Sequence, residues 1–168
     1  MHDPLTNLPN RVMFDNRLHT ALDRARRKKI KVALLYLDLD DFKVINDTLG
    51  HLAGDRVLQL VAEKLQSCLR LQDMAARLGG DEFCAILDNI TSVDHAVTIA
   101  ERIISVLDTL DCSSAGRGLH TSIGVAVFPD HGTDAKTLLR HADNAMYTAK
   151  RLGKGRCNVV PPSTTEEE

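Results

Sequence analysis

The sequence predicts an α+β domain with helices flanking a largely antiparallel central sheet. Three features lead there. Segments with helical spacing alternate with short apolar runs of strand length. Two of those runs, residues 74–78 and 82–87, are separated only by Gly79-Gly80-Asp81, which reads as a tight hairpin. An antiparallel hairpin argues against a purely parallel, doubly wound sheet.

The elements follow in order. Turn formers and Pro9 fill residues 6–10, after which Phe14, Leu18, Ala21, Leu22 and Ala25 recur at helical spacing. Residues 32–37 (Val-Ala-Leu-Leu-Tyr-Leu) predict a buried central strand that stops abruptly at Asp38-Leu39-Asp40-Asp41. A short helix is expected over 42–48, closed by Gly50. A long helix is expected to open at Asp55, with Val57, Leu58, Val61, Leu65, Cys68 and Leu69 as its apolar stripe. After the hairpin, Thr91 and Asp94 look like a helix-start box, with Ala96, Ile99, Ala100, Ile103 and Leu107 on the buried face. Residues 120–128 alternate as a strand and are broken by Pro129-Asp130-His131-Gly132. Asp134 caps a last helix with Leu138, Leu139, Ala142, Ala145, Met146 and Ala149 inward. Residues 158–160 predict a final edge strand. Residues 161–168 form a polar tail or linker, expected to be disordered.

Composition bounds the function. At 168 residues the chain suits one domain, over 1–160, with one core. Its 43% hydrophobic and 26% charged residues are those of a soluble globular protein, and no apolar run is long enough to span a membrane. Met1-His2-Asp3-Pro4 lacks a basic-then-apolar signal segment, so a cytoplasmic location is expected. A net charge of −2 makes no case for a nucleic-acid partner. The basic cluster over 24–29 reads as the cationic last turn of a helix; the alternative is a patch for RNA or anionic lipid, without interleaved aromatics to favour it. Cys68, Cys84, Cys112 and Cys157 include no Cys-x-x-Cys pair, which argues against zinc. Free thiols in a reducing compartment are expected, with Cys68 and Cys84 as small core residues.

The chemistry starts from carboxylates. Asp38 sits at the rigid end of an apolar strand; Asp81 and Glu82 sit on the hairpin turn. If the strands are neighbours, these acids converge at one sheet edge and repel one another unless a cation neutralises them. Oxygen ligands without His or Cys suit Mg²⁺, which also takes substrate phosphates, as phosphoryl or nucleotidyl transfer requires. Asp-Leu-Asp alone is also an ordinary loop, and Gly79-Gly80 alone an ordinary turn. The glycines nevertheless leave room for a bulky ligand near the backbone.

Beyond these residues, the chain resembles the GGDEF family of diguanylate cyclases over nearly its whole length. The resemblance runs from Asp3-Pro4-Leu5-Thr6-Asn7-Leu8-Pro9-Asn10-Arg11 to Gly153-Lys154-Gly155-Arg156. Between them, in order, stand Asp38-Leu39-Asp40-Asp41-Phe42-Lys43-Val44-Ile45-Asn46-Asp47, Gly50-His51-Leu52-Ala53-Gly54-Asp55 and Arg77-Leu78-Gly79-Gly80-Asp81-Glu82-Phe83. Ser122-Ile123-Gly124-Val125-Ala126 and Ala142-Asp143-Asn144-Ala145-Met146-Tyr147-Thr148-Ala149-Lys150 follow. One departure stands out: Asp81 occupies the third signature position, where many active members carry Glu. Both occur in the family, and the shorter arm puts the metal geometry in question.

The resemblance implies a palm-like, ferredoxin-like fold and condensation of two GTP into cyclic di-GMP by a homodimer, at least transient. It implies Asp38, Asp81 and the Leu39 carbonyl as ligands of Mg²⁺ or Mn²⁺, with Asp81 as base and Glu82 beside it in support. Asn46 and Asp55 would read the guanine edge, which an amide and a carboxylate can do by pairing its donors and acceptors. His51, Phe42, Gly79 and Gly80 would line the nucleotide, and Lys43, Lys150 and Lys154 would neutralise the triphosphate. Arg70 and Asp73 stand where the family carries its Arg-x-x-Asp product-inhibition motif; the ordinary reading is a helix-end ion pair. Such domains work fused to sensory or phosphodiesterase domains, some tethered to membrane proteins. The alternative is a catalytically weak module that binds GTP or cyclic di-GMP and regulates a fused domain.

Overall fold

A computed structural model describes residues 1–110 and 118–161; Cys112 and the expected polar tail beyond Pro161 lie outside the described residues. The elements run α1 (Arg11–Lys28), β1 (Lys31–Leu39), α2 (Phe42–Leu49), α3 (His51–Ser67), β2 (Met74–Gly79), β3 (Glu82–Ile90), α4 (Val93–Asp108), β4 (Thr121–Phe128), α5 (Ala135–Arg151) and β5 (Cys157–Val159). One sheet holds the strands in the order β2-β3-β1-β4-β5. β1 lies between β3 and β4, antiparallel to both, and β2 is antiparallel to β3; β5 alone is parallel, to β4. The order of β1 to β4, with α2–α3 and α4 as crossovers, is the ferredoxin-like arrangement of a palm fold. Among the described residues no helix is long and apolar enough to cross a membrane.

The unbroken apolar run of β1 is explained by two-sided burial. Ala33, Leu35, Leu37 and Leu39 face α3 and α4, against Val61, Leu65, Ala100 and Ile103. Val32, Leu34 and Tyr36 face α1 and α5, against Phe14, Leu18, Leu22, Leu138 and Met146. Alternation puts Asp38 on the α1–α5 side, just past the apolar cover. Cys68 and Cys84 are buried and free, as expected of small core residues. The basic cluster closes α1 with Arg26, Arg27 and Lys28 in its last turn. Within it, Arg24 pairs with buried Asp88, and Arg26 donates to the Thr133 carbonyl.

Several boundaries differ from the sequence reading. β1 and β3 extend to Leu39 and Ile90, because their ends pair across the sheet. α3 opens at His51 rather than Asp55. Gly50, at φ 94°, donates to the Asn46 carbonyl (2.9 Å) and accepts from the Gly54 amide (3.1 Å), so this one residue ends α2 and starts α3. α4 is capped by Ser92, which accepts from the His95 amide at 3.1 Å, one residue beyond the expected Thr91. Asp134 caps α5 as expected, while Leu139 is only partly buried.

Gly124 lets α5 lie directly on β4: a β-carbon there would overlap the Ala142 carbonyl oxygen and the Met146 amide. Because α5 carries Lys150, this contact also sets the height of that lysine over the sheet. Gly124→Ala is expected to destabilise the fold by about 1–3 kcal/mol, the usual cost of overpacking. Urea denaturation followed by circular dichroism measures it.

Candidate active site

The site begins where β1 emerges from its apolar cover. Register places Asp38 opposite Glu82 on β3 and Ser122 on β4. The β2–β3 turn brings Asp81 alongside, and the Leu39 amide donates to the Asp81 carbonyl at 3.3 Å. Gly79 (φ 145°) and Gly80 (φ 50°) make this turn, and a β-carbon at either would meet open space. The side chains are therefore absent for backbone conformation, and the space above the turn is free for a ligand.

Arg77 holds the turn from behind. Its Nε and Nη2 donate to the Gly80 carbonyl at 3.0 and 2.7 Å, and its Nη1 donates to both Asp3 oxygens at 3.1 and 3.2 Å. Asp3 in turn accepts from the Thr6 amide and hydroxyl. The N-terminal motif, which the sequence left without a role, is thus a buttress for the signature turn.

The acids are under electrostatic tension. Burial first, and then the Asp81 carboxyl beside it, push Asp38 up to about 7; Lys150 pulls the other way and Glu82 adds to the rise. One oxygen of Asp38, Oδ1, is buried without a hydrogen-bond partner. Glu82 is held by the Tyr36 hydroxyl, which donates to Oε1 at 3.0 Å. Among the described residues no three His, Cys, Asp or Glu side chains converge on one point. Two acids with an unsatisfied oxygen, beside the Leu39 backbone, fit a hard cation that takes its remaining ligands from phosphate and water.

Lys150 lies 3.7 Å from Asp38 Oδ2 and 3.0 Å from Asp40 Oδ1, and Lys154 donates to Asp41 at 2.8 Å. That hydrogen bond, more than charge alone, holds the Asp41 carboxyl below the usual carboxylate range. Two of the three expected phosphate lysines therefore sit at the end of β1. Lys43, by contrast, is 90% exposed on α2 and lies 3.9 Å from Asp47.

The α2–α3 pair carries the expected base readers. Asn46 is half-buried, with its amide oxygen directly over the α-carbon of Gly54; His51 and Asp55 are exposed on the first two turns of α3. Phe42, grouped with the substrate residues by sequence, is only 8% exposed and packs in the core.

At the end of the hairpin remote from the turn, Arg70 grips Asp73 with two guanidinium contacts of 3.1 and 3.0 Å and donates to the Asp88 carbonyl at 2.6 Å. Asp73 also accepts from the Arg70 and Asp88 amides. The pair borders a groove of about 450 Å³ lined by Pro9, Arg17, Gln66, Leu69 and Met74. The sequence showed the Arg-x-x-Asp spacing. It could not show that Asp73 also staples the loop to β3, because Asp88 is distant in sequence.

The profile described as "Diguanylate cyclase, GGDEF domain" matches residues 1–156. The chain belongs to the GGDEF family. Diguanylate cyclase TpbB of Pseudomonas aeruginosa is 45% identical over 156 residues, covering 92% of this chain and 36% of that protein. Cyclic di-GMP phosphodiesterase PdeR of Escherichia coli is 40% identical over 166 residues, covering 98% of this chain and 24% of that protein. This GGDEF domain thus spans only about a quarter to a third of those relatives. The solved structure of a delta-N mutant of TpbB comprising only its GGDEF domain superposes with a TM-score of 0.90 at 41% identity, covering 96% of this chain and 95% of that one. The GGDEF domain of DgcB from Caulobacter crescentus, in complex with c-di-GMP, gives 0.85 at 32% identity, covering 95% and 92%.

The Asp38 carboxyl yields a signed test. Its folded-state affinity for protons is raised, so the metal-free domain binds more protons than the unfolded chain between about pH 4 and about pH 7. Stability contributed by the protonated form is present below that window and lost as pH rises through it. In metal-free buffer, Asp38→Asn is expected to match the wild type at pH 4 and to exceed it in thermal stability at pH 8.

Proposed function

We propose that this GGDEF domain condenses two GTP into cyclic di-GMP with release of pyrophosphate. The observation that carries the reading is the pair Asp38–Asp81, with its unsatisfied oxygen, beneath the open glycine turn. Each protomer presents one GTP. The 3′-hydroxyl oxygen attacks the α-phosphorus of the GTP held by the facing protomer. The new O3′–P bond forms, the bond to the β-phosphate oxygen breaks, and pyrophosphate leaves. The hydroxyl proton passes to Asp81, with Glu82 held beside it by Tyr36. Because one protomer supplies half of the reacting atoms, the working unit is a two-fold homodimer.

Asp38, Asp81 and the Leu39 carbonyl would hold Mg²⁺ or Mn²⁺, which supplies charge neutralisation for the phosphates when bound. Lys43, Lys150 and Lys154 neutralise the rest of the triphosphate. Asn46 and Asp55 pair with the guanine edge, while His51, Phe42, Gly79 and Gly80 shape the nucleotide's seat. Gly54 is what leaves room for the Asn46 amide. Arg70 and Asp73, at the groove, bind the product and inhibit, with the Arg fork freed from Asp73 to take phosphate or guanine. The domain acts in the cytoplasm, fused to a sensory or phosphodiesterase domain in the longer protein.

A second reading draws on two observations. PdeR, a similar protein, is named a phosphodiesterase, and Lys150 and Lys154 are already paired with Asp40 and Asp41. On that reading the domain binds GTP or cyclic di-GMP and regulates its neighbour without turnover.

Incubation with GTP and Mg²⁺, following pyrophosphate and cyclic di-GMP, separates the two. The wild type is expected to form both, and Asp81→Asn to be slower by about 10²-fold or more, the usual scale for a lost general base. A dimeric sample that binds GTP but yields neither product refutes turnover. In the same assay Arg70→Ala is expected to relieve inhibition by added cyclic di-GMP while keeping the initial rate; unchanged inhibition would remove Arg70 from the inhibitory site.

A further inference from the structure

Asp38 and Asp40 stand two residues apart at the end of β1 and are equipped for different work. Asp38 keeps an unpartnered oxygen. Both oxygens of Asp40 are engaged and its side chain is 1% exposed. Oδ1 accepts from the Ser122 hydroxyl at 2.8 Å and from the Lys150 ammonium at 3.0 Å; Oδ2 accepts from the Gly155 amide at 2.9 Å. Those three donors come from β4, α5 and the loop that leads into β5. The Asp40 amide is itself fixed, donating to the His120 carbonyl at 2.9 Å.

The loop that Asp40 grips is unusual. Gly153, Lys154 and Gly155 all have positive φ (129°, 64° and 59°), a conformation that Lys adopts only when its surroundings impose it. The Gly155–Asp40 bond supplies that imposition on one side, and the Lys154 amide, donating to the Ala149 carbonyl at 3.1 Å, supplies it on the other. The same carboxylate holds the Lys150 ammonium at the rim beside Asp38.

We propose that Asp40 is a positioning residue for the nucleotide's triphosphate. From beneath, it gathers Lys150 and the 153–155 loop, and with that loop Lys154, into one phosphate-binding rim without itself touching metal or phosphate. The inference rests on the GTP-binding reading above and assigns the second Asp of the Asp-Leu-Asp run a role separate from the first.

The test is calorimetric binding of inorganic tripolyphosphate and of a GTP analogue with an α,β-methylene bridge. It is read with hydrogen exchange at the Gly155 amide, in wild type, Asp40→Asn and Ser122→Ala. Asp40→Asn is expected to lower affinity for both ligands about tenfold or more, the scale of a lost charge-assisted contact. It is expected to expose the Gly155 amide to exchange and to leave guanosine binding unchanged. Ser122→Ala, which removes one donor and no charge, should show a smaller loss in the same direction, and it carries the test if Asp40→Asn does not fold. Unchanged tripolyphosphate affinity in folded variants, or a Gly155 amide still protected in Asp40→Asn, overturns the proposal. Wild type that binds neither the analogue nor tripolyphosphate overturns the GTP reading itself. Wild type that binds both, with unaffected variants, overturns only the role of Asp40.

Discussion

β1 is apolar on both faces from Val32 to Leu37, and it is paired on both edges, so its far end has almost no freedom. The rest of the molecule is arranged around that constraint. Because β3 and β4 both run antiparallel to β1, the start of each lies beside the end of β1. The polar residues of three strands therefore meet at one sheet edge: Asp38, Glu82 and Ser122. Truncation of a β1 core leucine belongs to the class of changes that costs a domain about 2–5 kcal/mol. Here it would also loosen the geometry of every acid at that edge.

The edge stores unfavourable electrostatics. Burial, and then the Asp81 carboxyl beside it, push Asp38 up to about 7, against the pull of Lys150. A fold that needed only stability would place an apolar pair or an Asp–Lys pair there. Asp40, two residues on, shows that alternative: it is more deeply buried, yet every oxygen is satisfied. The difference between these two aspartates is one of partners: both oxygens of Asp40 have donors, whereas Asp38 Oδ1 has none.

Supports for the site come from places remote in sequence. Arg77 ties the glycine turn to Asp3, Tyr36 steadies Glu82, and Gly124 brings α5 close enough for Lys150 to reach the end of β1. The same logic operates at the open end of the hairpin, where Asp73 links Arg70 to the backbone of β3. The two ends of the hairpin are thus connected by the nine-residue strand β3. The groove and the turn therefore bear on the same strand.

Much of this was legible in the amino-acid order. Hydrophobic period placed each helix and strand, because burial on one face or two leaves a local imprint in the sequence. The glycine turn and the acids beside it were legible for the same local reason. The elements whose ends were misjudged are those decided by a partner: β3 runs on to Ile90 because Lys31 lies opposite, and α3 begins at His51 because Gly50 serves two helices. Which carboxylates meet, which oxygen stays unpaired and which lysine is held by which acid depend on contacts between residues up to 115 positions apart. No local pattern encodes such distances. The sequence by itself determined the fold class and the chemistry of the groups, because both follow from local residue types and spacing. Only the tertiary structure decided the division of labour between Asp38 and Asp40, because that depends on what each oxygen finds across the sheet.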